Sequence, residues 1–263
     1  MRIIVLVKEV PDTYGARTLN LETGLAERGA SEPVLDEIGE RSVELALTLA
    51  AEVDDAEVAV MSMSPESAVT RIRKSLAMGA DRAVHIADEG LRGADLTLTA
   101  EVLAAAIRRE AFDLVVAGDQ STDGVGGVIP AMLAEHLGAP HLTSLDEVAL
   151  TADEVSGTRT TDGGSLALSA PLPAVISITE ALPDARFPNV KGIMAAKKKP
   201  FDTWTLADLD IAADDLSAPR SIMTAVAERP PRVAGVKIVD DGDGGTKLAE
   251  YLTSNKLVRG AGR

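Results

Sequence analysis

The chain has 263 residues, with 26 Lys+Arg against 41 Asp+Glu and a formal charge of −15, a length that suits one large domain or a domain with a sizeable appendage. The charge is uneven: residues 1–190 hold 14 basic and 31 acidic side chains, residues 191–263 hold 12 and 10. So acidic a first segment excludes a nucleic-acid partner, whose phosphates demand a basic face.

Short apolar runs rich in β-branched residues alternate with helical stretches. Ile3–Val7 reads as the first strand, followed by a turn over Lys8–Asp12 and a helix over 37–52 with Asp36 as its N-cap. Glu57–Met61 is the next strand, and Ser64-Pro65 reads as a cap with Pro at N1, opening a helix over 66–78 that ends at Gly79. Arg82–Ile86 is a third strand. Asp95 caps a helix over 95–110, whose Leu96, Val102, Leu103 and Ile107 form an apolar stripe with basic residues in the last turn. Asp113–Ala117 is a fourth strand. Alternation of this kind predicts a doubly wound, mostly parallel α/β sheet.

Past residue 140 the pattern changes. His141–Leu150, Glu154–Thr161 and Ser165–Ser169 read as consecutive antiparallel strands with Asp162-Gly163-Gly164 as a hairpin turn, and Pro173–Thr179 as one more buried strand. From about 180 onward Pro, Gly and charge dominate. Ile193, Met194, Phe201, Trp204, Ile211 and Ile222 are too apolar for a solvated tail, so this segment reads as an arm that packs on a partner. The expected organisation is an α/β core over 1–185 and a docking arm over 186–263.

Ligands of such sheets sit beyond the carboxyl ends of the strands. There, FDLVVAGDQSTDGVGGVIPAMLAEHLGAP runs from a strand through Gly118, Asp119, Gln120, Ser121, Thr122, Asp123, Gly124, Gly126 and Gly127 into a helix over Val128–Leu137. Glycines permit close backbone approach, and amides at a helix start favour anions. The spacing is neither a P-loop nor GxGxxG, and a tight crossover accounts for the loop as well as a nucleotide does. Lys197-Lys198-Lys199 is a solvated charge run or a contact for an acidic partner.

No nucleophile–base pair is apparent. Without cysteine there are no disulfides, thiol nucleophiles or Cys-ligated clusters, and His85, His136 and His141 form no metal-ligand pattern. No run approaches the ~20 apolar residues of a membrane span. Lys8 and Glu9 interrupt the N-terminal apolar run, so no signal peptide is visible and a cytoplasmic location is expected.

Four segments carry a resemblance that covers almost the whole chain: VLVKEVPD; LAMGADRAVHI; Arg159-x-x-Asp162-Gly163-Gly164 with the later Pro173-Ala174-Val175-Ile176-Ser177; and FPNVKGIMAAKKKP. Together, in this order, they resemble the β subunit of electron transfer flavoproteins. The resemblance implies a heterodimer whose α subunit holds most of an FAD, with this chain acting as an electron carrier without catalytic residues of its own. It further implies a structural AMP lined by Leu6, Asp36, Met63 and the loop from Gly118 through Ile129. Thr13, Tyr14 and Ile38 would lie near the flavin. Val190 would anchor acyl-CoA or other dehydrogenases, with Ile193, Met194, Lys197, Lys198 and Lys199 around it. Electrons would pass on to a quinone oxidoreductase, as in fatty acid oxidation.

Two departures bear on the ligand. Gly127, Val128 and Ile129 stand where many members of the family carry polar side chains, so AMP would depend on backbone amides with Ser121, Thr122 and Asp123. The Asp-Thr pair of flavin-bifurcating relatives is absent after Gly124, which favours AMP over a second flavin. Leu166 likewise replaces the usual Glu or Gln of the hairpin signature. The alternative is a stand-alone adenine-nucleotide-binding α/β protein, either a stress-type ATP sensor or an ATP-splitting enzyme.

Overall fold

The computed structural model describes residues 1–15, 17–215, 217–232, 234–235 and 237–258. In chain order the elements are β1 (Arg2–Leu6), β2 (Glu9–Pro11), β3 (Pro33–Leu35), α1 (Glu37–Ala50), β4 (Glu57–Met63), α2 (Val69–Met78), β5 (Arg82–Ile86), α3 (Leu96–Glu110) and β6 (Leu114–Gly118). They continue with α4 (Ile129–Leu137), β7 (His141–Leu145), β8 (Glu147–Leu150), β9 (Glu154–Thr161), β10 (Gly164–Pro171), β11 (Ala174–Ile178), α5 (Val190–Ala196), β12 (Phe201–Trp204) and α6 (Gly244–Ser254).

Seven strands form one sheet in the order β12-β5-β4-β1-β6-β11-β7, and every neighbouring pair is parallel. The sheet is covered on both faces, which explains the near-continuous apolar runs. Side chains of β1 alternate: Ile3 and Val5 join the core that includes Val43 and Leu49 of α1 and Ile72 and Leu76 of α2. Ile4 points to the opposite core, with Leu98, Val102 and Ile107 of α3 and Leu133 of α4. The expected doubly wound α/β architecture is therefore the observed one.

Local signals hold where their partners are local. Asp95 accepts from the Leu98 amide at 2.8 Å, and Arg108 and Arg109 occupy the last turn of α3. Gly79 follows α2 at φ +148°, a conformation open to glycine. Two expected caps are absent. Asp36 sits at the N-cap of α1 but makes no cap bond, because Thr122 takes its carboxylate. Ser64 bonds Ser62 and His85 rather than a helix amide, and a 3-10 turn over Glu66–Ala68 precedes α2.

The expected antiparallel strand His141–Leu150 is two elements. β7 is parallel to β11 at the edge of the main sheet, while β8 joins β9 and β10 in a separate antiparallel sheet. The break lies at Ser144, with φ +56°, and at Asp146, whose carboxylate accepts from the Thr160 amide and the Thr179 hydroxyl. A short antiparallel pair, β2 with β3, follows the first strand; three-residue strands carry too little pattern to be read from sequence.

Residues 201–204, expected in the arm, instead form β12, the other edge of the main sheet beside β5. The Arg109 guanidinium lies 4.5 Å over the Trp204 ring. The expected boundary near residue 185 falls between β11 and α5, inside a compact unit that runs from Met1 to Val226. Ala227–Arg263 is a second unit. Its helix α6 has no buried residue and exposes Leu248 and Tyr251.

Candidate nucleotide site and docking helix

The order of strands reverses direction at β1: β4 lies on one side of it and β6 on the other. Ligands of open α/β sheets bind in the crevice this reversal opens. Leu6 ends β1, Met63 ends β4 and Gly118 ends β6, so three of the expected nucleotide residues converge at adjacent strand ends. Gly118 packs under Ile38 of α1, and a Cβ there would lie 2.5 Å from the Ile38 Cγ2. Only glycine lets the loop leave the sheet this close to the helix.

The loop after β6 is tied down from three directions. Buried Asp36 accepts from the Thr122 amide at 3.0 Å and its hydroxyl at 3.2 Å. Burial raises the Asp36 pKa, and the Thr122 bonds only partly offset this. Asp123 is paired with Lys8 at 2.7 Å and Arg28 at 3.0 Å. Burial alone would push Asp123 up, but the bond and charge of Lys8, then Ser121 and Arg28, hold it at about 2. Arg17 donates to the Thr122 carbonyl, and the Gly124 amide to the Ser121 hydroxyl at 3.3 Å.

Beyond these ties the backbone is free to donate. Among the described residues, the amides of Gly126, Gly127 and Val128 carry no hydrogen bond, and all three residues are exposed just ahead of α4. Val125 and Gly127 have φ of +49° and +66°. Exposed donors at a helix start suit a phosphate, and half-buried Leu6 and Met63, at the ends of β1 and β4, suit an apolar ring. This donor set fits a nucleotide monophosphate held by backbone. Asp119 faces the other way, its pKa raised by burial and by the charges of Glu180 and Asp146.

Of the residues expected near a flavin, Ile38 reaches the loop through Gly118, whereas Thr13 and Tyr14 stand out in solvent, Tyr14 at 97% exposure. Arg17 and Arg28 were missed by sequence reading. Two isolated arginines in an acidic stretch carry no motif, and only the long-range contacts reveal them.

The second candidate surface is α5. Its N-cap Asn189 accepts from the Gly192 amide at 2.8 Å, and Val190, Ile193 and Met194 are exposed. Phe187, missed in the sequence, is 93% exposed three residues before Val190, itself at 78%. The segment before α5 is fastened to α1. Arg186 grips Glu44 through two nitrogens at 2.7 and 2.8 Å, and Arg41 reaches the Leu182 carbonyl and Asp184. Lys197 and Lys198 are exposed. Lys199 is turned inward onto the end of α2 and the turn that follows it.

No helix among the described residues is long and apolar enough to cross a membrane. Among them, no group of three or more His, Cys, Asp or Glu could hold a metal ion.

A family model described as electron transfer flavoprotein domain matches residues 23–209. The chain is 44% identical to the electron transfer flavoprotein subunit beta of Mycobacterium tuberculosis, over 97% of this chain and 99% of that one. It is 32% identical to the subunit of the same name from Syntrophomonas wolfei, over 98% of both chains. It is also 32% identical to the caffeyl-CoA reductase-Etf complex subunit CarD of Acetobacterium woodii, over 81% of this chain and 82% of that one.

Proposed function

The chain belongs to the electron transfer flavoprotein β-subunit family, and on that premise we propose that it works as half of a heterodimer in the cytoplasm. The α subunit holds most of an FAD, this chain walls one side of it, and electrons from acyl-CoA or other dehydrogenases pass on to a quinone oxidoreductase. Redox chemistry is supplied by the flavin when bound; the protein contributes position and electrostatics.

In this reading the crevice between β1 and β6 holds a structural AMP. The free amides of Gly126, Gly127 and Val128 meet its phosphate, and Leu6 and Met63 flank its base. The observation that carries the reading is this loop, where Thr122 and Asp123 are already bonded to Asp36, Lys8 and Arg28 while the amides of Gly126, Gly127 and Val128 remain available. Ile38, with Thr13 and Tyr14, borders the flavin side. Val190, Ile193 and Met194 present an apolar face to dehydrogenases, with Lys197 and Lys198 at its rim. Residues 186–263 serve as recognition segment and arm against partners, and the unburied apolar side chains of α6 support that role.

The test is co-expression with an α subunit, followed by visible absorbance and identification of the nucleotides released by acid. A yellow heterodimer releasing one FAD and one AMP is expected. A monomer that ignores the α subunit and hydrolyses ATP would overturn the proposal in favour of a stand-alone nucleotide protein.

A further inference from the structure

An α-helix leaves its last four carbonyls without intrahelical partners. At the end of α2 the Gly79 and Ala80 amides both return to the Ser75 carbonyl, which leaves the carbonyls further along to find other donors. Lys199 supplies them. Its Nζ donates to the Leu76, Gly79 and Ala80 carbonyls at 3.1, 3.0 and 2.6 Å. An ammonium has three protons and no acceptor, so these three bonds exhaust it. The cation also lies at the negative end of the helix dipole.

The remaining contacts make the same corner a mount for α5. Gly192 lies so close to the Ala77 carbonyl oxygen that a Cβ would collide with it. Arg73 donates to the Ala196 carbonyl at 2.9 Å and lies 4.6 Å over the Phe201 ring. Lys199 thus closes α5 from behind, immediately before β12 enters the sheet. Val190 and Met194 are left facing outward.

We propose that Lys199 is a positioning residue: its ammonium, spent on the carboxyl end of α2, holds α5 in the orientation that presents Val190 to an electron donor. Lys197 and Lys198, next to it in sequence, are exposed and supply the surface charge. The inference rests on the docking reading of α5, and it removes Lys199 from the set of partner-contacting cations.

Two measurements on the heterodimer test it. In the first, surface lysines are acylated and followed by mass spectrometry. Lys199 should react at least about tenfold more slowly than Lys197 and Lys198, since acylation must break bonds to a charged group. Burial lowers the Lys199 pKa, with nearby Asp81 opposing, and that alone would speed acylation. Protection therefore reads the hydrogen bonds. Reaction as fast as at Lys198 would overturn the proposal.

The second measurement uses Lys199→Met, which keeps the stem and drops the ammonium. Amide exchange across residues 190–199 should accelerate. KM for a reduced dehydrogenase should rise by about tenfold as the competent orientation becomes a minor one, while the maximal rate and the flavin spectrum hold. Unchanged exchange, with a KM effect that salt abolishes as in Lys197→Ala/Lys198→Ala, would make Lys199 a docking cation and sink the idea. If no dehydrogenase reduces even the wild-type heterodimer, the docking reading fails, while acylation and exchange still judge the role of Lys199.

Discussion

Lys8 and Asp123, 115 positions apart, meet at 2.7 Å and tie the turn after β1 to the loop after β6. Arg28 holds the second carboxylate oxygen at 3.0 Å. The pair bridges the segments that follow the two strands bordering the crevice. It also gives the loop a pH dependence whose sign can be worked out. The Asp123 carboxyl titrates at about 2 in the folded chain, against an ordinary value of about 3.9. A depressed acid stabilises the fold above its unfolded value, and that contribution disappears as pH falls from about 4 toward about 2. Lys8 and Arg28 are partly open to solvent, so the contribution is set at about 1–2 kcal/mol. Urea unfolding of wild type and Asp123→Asn should show that gap at pH 6 and a vanishing one near the lower limit. A gap independent of pH would refute the assignment.

Asp36 is the counterpart on the other side of the loop. Asp36→Ala removes the acceptor for two donors of Thr122 and should cost about 1–3 kcal/mol of stability. Exchange should rise at 119–128 rather than at the start of α1, because the carboxylate does not cap that helix. Thermal unfolding combined with hydrogen exchange distinguishes the two, and fraying confined to 37–40 would contradict the loop role.

Gly118→Ala places a Cβ against Ile38 and should destabilise by about 1–3 kcal/mol through overpacking. The nucleotide released from the purified protein should fall with it. Adding Ile38→Ala opens the space, so the double variant should recover part of both losses. Purely additive losses would show that the two side chains do not meet.

Val190→Ala and Phe187→Ala each trim an exposed apolar group and should barely change the melting temperature. Each should slow reduction by dehydrogenases about tenfold, the scale of an interface anchor, with flavin absorbance unchanged. Loss of flavin, with reduction kinetics unchanged per flavin still bound, would place this surface against the cofactor subunit instead.

Much of the fold was legible because its signals are short in range. β1, β4, β5, β6 and β11 are apolar runs buried on both faces, and Asp95 reveals its role within three residues. The elements misread are those whose burial is partial or whose partner is remote. β12 sits at an edge with exposed positions and so resembles arm. β7 and β8 differ only in which sheet they enter, a choice made by Asp146 through Thr160 and Thr179. The glycine loop was legible as a loop, but not its locks to Arg17 and Arg28.

The division of charge, an acidic first 190 residues and a near-neutral remainder, is determined by sequence alone, as are the alternating α/β pattern and the glycine-rich turn. Composition counts side chains without regard to what they touch. Tertiary structure decided which charges are available. Asp123 is neutralised by two cations from the β1 side of the sheet, Asp36 is spent on Thr122, and Lys199 leaves the lysine run to cap a helix more than a hundred residues earlier. A charge becomes structural only when folding removes it from water and supplies its partners, and those partners lie too far along the chain for spacing to reveal.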